Sequence, residues 1–304
     1  MIQVKMFNDA LKNNYVVPAF NVSNFEIFKG LLNSVKELKS PIILQFSESA
    51  INYLGDEVVK SLIVPAKKEK LPISIHLDHG KTYEICKKAI SLGFDSVMID
   101  GSALPYKENV KLTKKVVMYA HKHNVSVEGE LGVLSVVDDD AKMTDEQRFT
   151  DPIQAKEFVN LTGVDSLAVS IGTNHGVNKY IGEPKIRFDI LKKIEKELPN
   201  LPIVLHGASL IEEKYIKIIN ENGGDIKNSA GNKDLLKNIY KTNICKLNMD
   251  TDFRLAYTSA VRKTLAEQRD VFNPRTYGKA GIEAVKLCAE ERIKKICKSN
   301  NRVK

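Results

Sequence analysis

The sequence predicts an α/β protein, a (β/α)₈ TIM barrel with extra C-terminal helices. Eight short apolar segments recur along the 304 residues, and segments with helical spacing lie between most of them. Eight such units match the usual barrel size of about 250 residues. No linker, internal repeat or change of composition divides the chain, so we expect one domain over residues 1–304.

The predicted strands are continuous apolar runs, which are typical of parallel strands buried on both faces of a sheet. In chain order they are VVPAF (16–20), PIILQF (41–46), PISIHLD (72–78), SVMID (96–100), VSVEGEL (125–131), SLAVSI (166–171), PIVLHG (202–207) and ICKLNMD (244–250). Segments such as FEIFKGLLNSVKEL and YEICKKAISLG, with apolar residues three or four positions apart, predict the helices between them.

The main alternative fold is a doubly wound sheet that binds a dinucleotide. That fold requires a G-x-G-x-x-G turn after an early strand, whereas the first predicted strand is followed by NVSNFEIF, without glycine. The barrel is therefore favoured. Beyond about residue 262 the pattern predicts helix with a break at Pro274, and we expect this tail to pack on the barrel or on another subunit.

The composition argues against several function classes. With 43% hydrophobic and 28% charged residues and no apolar run near the ~20 residues of a membrane span, we expect a cytoplasmic protein without a membrane partner. The net charge of +8 comes mostly from lysines dispersed over predicted helix faces, so no nucleic-acid partner is expected. The four cysteines form no C-x-x-C pair and are expected to be reduced thiols.

Polar and ionisable residues are concentrated where the predicted strands end. In a parallel barrel the carboxyl ends of all strands meet at one rim, and catalytic residues gather there. We therefore predict a site at this rim, built from Asn21, Ser47, Asp78, His79, Asp100, Ser102, Glu128, Glu130, His175, His206, Asn248 and Asp250.

Three of the six histidines, His79, His175 and His206, end different predicted strands. Three neutral imidazoles that converge from separate strands form a zinc site with a position left open for substrate. His76 lies two residues before Asp78, inside the strand, and is predicted to face the barrel interior or to support the site from behind.

Glycines and hydroxyls beside these histidines suit a phosphate group. His175 and His206 each precede a glycine, which lets backbone N–H groups approach an anion closely. Ser209 and Thr251 add hydroxyls near predicted helix N-termini. A metal beside such a phosphate site indicates a sugar phosphate whose oxyanion the metal stabilises.

The chain resembles the class II, metal-dependent fructose-bisphosphate aldolases of the shorter subgroup. The resemblance rests on VPAFNVSNFE, LQFSE, HLDHG, GFDSVMIDGSALPYKEN, VEGELG, GTNHGVNKYIGEPKIRFD, LHGAS, KLNMDTDFRLAYTSAVR and FNPRTYGKAG, which run in the family's order over nearly the whole chain. It implies a divalent metal, usually zinc, and the reversible cleavage of fructose 1,6-bisphosphate to dihydroxyacetone phosphate and glyceraldehyde 3-phosphate in glycolysis and gluconeogenesis. It also implies a homo-oligomer (dimer or tetramer) and, as in some relatives, a monovalent cation, Na⁺ or K⁺.

The resemblance assigns roles to individual residues. The metal ligands would be His79, His175 and His206, with Glu130 as a ligand in an alternative position. Asp78 would be the acid and base at the carbon–carbon bond, and burial or a nearby carboxylate would help proton donation by raising its pKa. Residues that match substrate contacts are Gly176, Lys179, Gly207, Ser209, Asn248 and Thr251 for dihydroxyacetone phosphate, Asn21 and Ser47 further away, and Arg254 with Arg275 of a neighbouring subunit for the other phosphate.

Two positions bear on the reaction. Asp250 in NMDTD matches the fructose enzymes, whereas tagatose-1,6-bisphosphate aldolases often carry a small residue there. Fructose 1,6-bisphosphate is therefore the favoured substrate, and tagatose 1,6-bisphosphate is the alternative.

After ELG the family usually has two glycines and a glutamate that takes the carbon-bound proton. This chain has Ser135 and Val136 at the glycine positions and Asp138 at the glutamate position, so Asp138 is the hypothetical base.

Three other interpretations remain open from the sequence. A class I aldolase would form a Schiff base on a lysine such as Lys246. A metallohydrolase barrel often begins with two histidines one residue apart on the first strand, which this chain lacks. A non-enzymatic adhesion or scaffold role is compatible with the basic surface, but no motif indicates it.

Overall fold

The computed structural model, which describes residues 1–132, 149–173, 186–227 and 239–303, contains a closed barrel of eight parallel strands. This confirms the predicted fold class. Each strand pairs with the next along the chain, and the last strand pairs with the first. The strands are β1 Val17–Asn21, β2 Ile42–Ser47, β3 Ile73–Gly80, β4 Ser96–Ile99, β5 Ser126–Leu131, β6 Ser166–Val169, β7 Ile203–Leu205 and β8 Ile244–Met249.

Helices cover the outside of the barrel. Their apolar residues and the outward-facing strand residues form one continuous hydrophobic core, which includes Leu31, Leu77 and Phe158. The described α-helices are α1 Ile2–Asn13, α2 Phe25–Leu38, α3 Glu48–Leu54, α4 Asp56–Lys68, α5 Tyr83–Ser91, α6 Tyr106–Lys122, α7 Pro152–Thr162, α8 Phe188–Glu197, α9 Glu213–Glu221, α10 Thr251–Glu267 and α11 Pro274–Glu291. None of these described helices is long and apolar enough to cross a membrane.

Helix α1 packs at the end of the barrel where the strands begin. Its residues Met6, Phe7 and Ala10 form a separate apolar cluster with barrel residues such as Val17 and Cys245. Because these barrel positions lie near the amino ends of β1 and β8, α1 covers that end with apolar side chains. The polar carboxyl ends of the strands lie at the other end of the barrel.

The C-terminal helices pack on the barrel, which is one of the two predicted arrangements. The predicted break lies between α10, which ends at Glu267, and α11, which Pro274 begins, since proline is tolerated in the first turn of a helix; Asn273 caps that turn. Helix α11 lies so close to α2 that a Cβ atom on Gly30 would meet the Ile282 carbonyl oxygen at 2.7 Å. A π-helix, Arg292–Cys297, continues from α11.

Candidate active site

The carboxyl end of β3 places two consecutive side chains, Asp78 and His79, in one cavity. In a regular strand neighbouring side chains point to opposite faces. Here the pairing of β3 with β4 shifts register between Leu77 and Gly80, and His79 has a φ of 49°, in the left-handed region. This bulge turns both side chains to the same side. A left-handed histidine costs about 1–3 kcal/mol, and such strain clusters at functional sites.

The Asp78 carboxylate is held by two amides from other strands of the barrel, β1 and β8. Asn21 Nδ2 donates to Asp78 Oδ2 at 2.7 Å, and Asn248 Nδ2 donates to Asp78 Oδ1 at 3.1 Å. Asn21 is oriented in turn by Gln45, whose Nε2 donates to Asn21 Oδ1 at 2.5 Å. Sequence reasoning missed Gln45, although a buried polar residue within the apolar strand IILQFS was a usable signal.

The net pKa shift of Asp78 is opposite to the one that would help proton donation. Burial opposes ionisation, but the electrostatic influence of nearby His79, His206 and Lys246 and the hydrogen bond from Asn21 outweigh it, and the pKa of Asp78 is lowered overall. In the chain without a bound cation Asp78 is therefore a carboxylate, which is the form of a general base.

His79 is oriented by acidic neighbours. Its Nδ1 lies 3.0 Å from Asp100 Oδ2 and 3.6 Å from Glu130 Oε2. A carboxylate only accepts hydrogen bonds, so Nδ1–H donates to Asp100, and Nε2 is the ring nitrogen that can serve as a metal ligand. Burial opposes the charged imidazole, yet the charge of Asp78 and the bond to Asp100 raise the pKa of His79 to about 10. Ser102 fixes Asp100 through a hydroxyl hydrogen bond of 2.7 Å.

His206 meets His79 from the opposite side of the barrel mouth. The two rings are edge-to-face, with centroids 4.5 Å apart. Asp78, His79 and His206 each offer a ligand atom, and these atoms lie within 4.8 Å of one another. His79, Asp100 and Glu130 form a second such group. The structure thus brings together two of the three predicted ligand histidines and the predicted alternative ligand.

These residues fit a divalent cation. Imidazole nitrogens and carboxylate oxygens are ligands that Zn²⁺ prefers. The carboxylate oxygen Oε2 of Glu130 is buried and has no hydrogen-bond donor among the described residues. Burial, and the nearby negative charge of Asp100, raise the pKa of Glu130 well above its usual range. A cation bound beside Glu130 would stabilise its ionised form and would give Oε2 a partner.

The loop after β7 and the start of α10 adjoin these groups and line the same cavity. Gly207 has a φ of 67°, in the left-handed region, and its backbone lies in the loop that follows β7. Ser209 Oγ accepts a hydrogen bond from the Asp250 backbone N–H at 3.2 Å, and Thr251 begins the helix. Backbone N–H groups and a positive helix end favour an anion here.

One cavity of about 310 Å³ unites most of the predicted residues. Arg254 reaches it from α10 and pairs with Asp250, with 2.7 Å between its guanidinium and a carboxylate oxygen. Arg275 lies in the first turn of α11 and does not line this cavity, and its action from another subunit stays a prediction. The cavity is lined by Asn21, Ser47, Ser49, Asp78, His79, His206, Gly207, Ser209, Asn248, Asp250, Thr251 and Arg254.

Four predicted residues lie outside the described parts of the chain: Asp138, His175, Gly176 and Lys179. Their expected roles as base, metal ligand and substrate contacts stay predictions.

A buried ion pair supports the loop after β7 from the C-terminal end. The Asp252 carboxylate accepts the backbone N–H groups of Leu210 and Ile211 at 3.0–3.2 Å, and Ile211 has a left-handed φ of 49°. Arg292 of the π-helix lies 3.3 Å from Asp252 and is itself buried. The C-terminal tail, in which sequence reasoning named only Arg275 as a site residue, thus also holds a loop of the candidate site.

Lys246, the candidate Schiff-base lysine, lies inside the barrel and does not line the cavity. Its ammonium nitrogen is 2.7 Å from Glu128 Oε2 and 3.1 Å from His76 Nε2. His76 is fully buried, which confirms its predicted position in the barrel interior. An enclosed, ion-paired lysine does not present an amine to a substrate carbonyl, so the geometry argues against the class I alternative.

Comparison with known proteins gives one consistent result. The family model described as "Fructose-bisphosphate aldolase class-II" matches residues 3–302. A protein named fructose-bisphosphate aldolase from Treponema pallidum (strain Nichols) is 42% identical, and the alignment covers 93% of this chain and 91% of that protein. A protein of the same name from Giardia intestinalis is 44% identical, and the alignment covers 92% of this chain and 88% of that protein. The crystal structure of the YdjI aldolase from Escherichia coli K12 superposes with a TM-score of 0.79 at 30% identity, over 99% of this chain and 98% of that one.

Proposed function

Because the chain belongs to the class II fructose-bisphosphate aldolase family, we propose that it catalyses the reversible, zinc-dependent cleavage of fructose 1,6-bisphosphate to dihydroxyacetone phosphate and glyceraldehyde 3-phosphate. The observation that carries the proposal is the convergence of Asp78, His79 and His206 on one cavity beside the start of α10. A proton carrier, metal ligands and an anion site within one cavity are the groups that this reaction requires.

The metal would be held by His79 and His206 together with His175, with Glu130 in the alternative position. Such an ion supplies positive charge that lowers the energy of the negative charge developing on substrate oxygens. Positive charge from such an ion would take the place of the lysine adduct of the class I mechanism, so the enclosed position of Lys246 is compatible with this chemistry.

Asp78 is the proposed proton carrier at the bond that breaks. In cleavage its carboxylate takes the proton of the substrate hydroxyl next to that bond, and in condensation it returns the proton to the aldehyde oxygen. Asn21 and Asn248 hold both carboxylate oxygens, which limits rotation of Asp78 before the substrate arrives. The lowered pKa of Asp78 suits the direction in which it begins as a base.

The phosphate of dihydroxyacetone phosphate would lie against Gly207, Ser209 and Thr251 at the start of α10, with Gly176 and Lys179 beside it and Asn248 on the adjoining sugar. Asn21 and Ser47 would make more distant substrate contacts. Arg254 and a neighbouring subunit's copy of Arg275 would bind the second phosphate, which makes a homo-oligomer part of the proposal. A Na⁺ or K⁺ ion would help to neutralise the phosphates.

Asp138 is the proposed base for the carbon-bound proton. The position matches the family's glutamate, and a carboxylate is the group required. Exchange of the dihydroxyacetone phosphate proton with solvent isolates this step. Asp138→Ala should abolish the exchange, with Asp139→Ala as the matched control; undiminished exchange in Asp138→Ala would assign the role to another residue.

The chelated and reconstituted enzyme tests the main proposal. Removal of metal by a chelator should abolish cleavage of fructose 1,6-bisphosphate, and zinc should restore it. Borohydride in the presence of substrate should trap nothing, whereas a covalent adduct on the chain would support a lysine mechanism instead.

All four cysteines are buried free thiols. Free thiols persist in the reducing cytoplasm, and we propose that the reaction takes place in that compartment.

A further inference from the structure

A row of buried polar side chains crosses the barrel interior beneath the cavity. His76 Nδ1 lies 3.0 Å from Ser96 Oγ, and His76 Nε2 lies 3.1 Å from Lys246 Nζ. Lys246 Nζ lies 2.7 Å from one carboxylate oxygen of Glu128, and His206 Nε2 lies 2.8 Å from the other. All five side chains are fully buried, and the mechanism uses only His206, the last in the row.

Hydrogen-bond chemistry fixes the direction of the last contact. The Glu128 carboxylate can only accept, so His206 Nε2 carries the hydrogen and donates it. In a neutral imidazole Nδ1 is then the acceptor nitrogen. The Asn248 amide is compatible with this, because its Nδ2 lies 3.0 Å from His206 Nδ1, 3.5 Å from His206 Nε2 and 3.1 Å from Asp78 Oδ1; a metal bound at Nδ1 would take the lone pair that now faces this amide. Nδ1 therefore lies on the Asp78 side of the ring.

The Lys246 ammonium keeps Glu128 in this position. The ammonium group can only donate hydrogen bonds, and it donates to Glu128 and to His76 Nε2. His76 Nε2 is therefore an acceptor. His76 Nδ1–H then donates to Ser96 Oγ, so every contact in the row has one donor and one acceptor. With one carboxylate oxygen bound by Lys246, the other oxygen stays directed at His206.

We infer that Glu128, held by Lys246, is a positioning residue that selects the Nε2–H tautomer of His206 and so presents Nδ1 to the metal. Carboxylates that bind the second nitrogen of a ligand histidine orient the ring and increase its basicity in metalloenzymes generally. The inference rests on the proposed metal site and adds which nitrogen of His206 serves it and what holds that nitrogen in place.

The tautomer can be read without any metal. Long-range ¹H–¹⁵N correlation spectra of the metal-free full chain separate Nδ1–H from Nε2–H histidines, and the His206→Gln variant identifies the His206 signals by their loss. The inference expects the Nε2–H form for His206. An Nδ1–H form or an even mixture would overturn it, whether or not the protein binds zinc.

Zinc affinity tests the positioning itself, by competition with a chromogenic chelator. Glu128→Gln should weaken zinc binding about 10–100-fold, the range found when such partners of ligand histidines are removed. Ser96→Ala is the matched control, since it disturbs the far end of the same buried row. Unchanged affinity in Glu128→Gln, or an equal loss in Ser96→Ala, would contradict the inference. If Glu128→Gln does not fold, the spectrum of the wild-type chain decides.

The two tests separate this inference from the proposed function. A wild-type chain that binds no zinc would count against the proposed function. A wild-type chain that binds zinc but carries the Nδ1–H tautomer would overturn only the role of Glu128.

Discussion

Asn21 Nδ2 donates a hydrogen bond to Asp78 Oδ2 at 2.7 Å, although the two residues lie on different strands of the barrel. The bond joins the end of β1 to the end of β3, across β2, whose Gln45 binds the same asparagine. The proposed proton carrier is therefore held by the sheet itself, and its geometry depends on three strands rather than on one loop.

Loss of the Asn21 amide should slow the reaction without removing the cavity. A hydrogen bond to a charged group contributes about 1.5–3 kcal/mol, so Asn21→Ala should lower kcat about 10–100-fold. The bond helps to lower the pKa of Asp78, so its loss should raise that pKa and move the acid limb of the pH–rate profile to higher pH. Asn33→Ala on the exposed face of α2 is the control. An unshifted acid limb would show that Asn21 does not act on Asp78.

Gly80 should tolerate no side chain. A Cβ atom there would lie 2.8 Å from the Met98 carbonyl oxygen and 2.7 Å from a Leu77 methyl group, so Gly80→Ala must displace the bulge that carries His79. We expect a stability loss of about 1–3 kcal/mol together with weaker zinc binding, measured by denaturant unfolding and by metal competition. Gly278→Ala, whose Cβ atom would make only ordinary contacts, is the matched control and should bind zinc normally. Normal zinc binding in Gly80→Ala would show that the bulge does not place the ligand.

Loss of the Arg292–Asp252 ion pair should lower the free energy of unfolding and weaken substrate binding. Arg292→Leu leaves the buried Asp252 carboxylate without its cation, which costs about 3–5 kcal/mol in such sites. Because Asp252 holds the loop after β7, KM for the bisphosphate should also rise. Denaturant unfolding and steady-state kinetics measure the two effects.

The control for this pair is Lys294→Leu, which removes an exposed ion pair with Glu290 in the same helical segment. Its effect should stay below about 1 kcal/mol, and KM should not change. A KM unchanged in Arg292→Leu would separate the C-terminal segment from the phosphate site.

Asp250 should set the choice between epimeric substrates. Fructose and tagatose bisphosphates differ in one hydroxyl, and an aspartate that accepts a hydrogen bond from one of them is left unpaired with the other. Asp250→Ala should therefore lose much of the preference for fructose bisphosphate, measured as the ratio of the two kcat/KM values. Asp250 pairs with Arg254, so an Arg254→Ala variant shows how much of any change comes from that partner. An unchanged ratio in Asp250→Ala would place discrimination elsewhere.

The parts of the fold that follow from local pattern were predictable from sequence. Apolar runs such as PISIHLD gave the strands, and the polar residues that end them, such as Asp78 and His206, marked the rim. The bulge at His79 was not predictable, because it depends on the register between β3 and β4. The Lys246–Glu128 pair depends in the same way on where β8 and β5 lie across the barrel. Sequence spacing says which side chains reach the rim but not which atoms meet there.

Zinc titration of the metal-free protein tests the central claim most directly. Aldol cleavage of fructose 1,6-bisphosphate is measured as zinc is added to a chelated sample of known concentration, with metal content determined on the same sample. We predict no activity without metal and a linear rise in activity that ends at one zinc per chain. Full activity in the metal-free protein would contradict it.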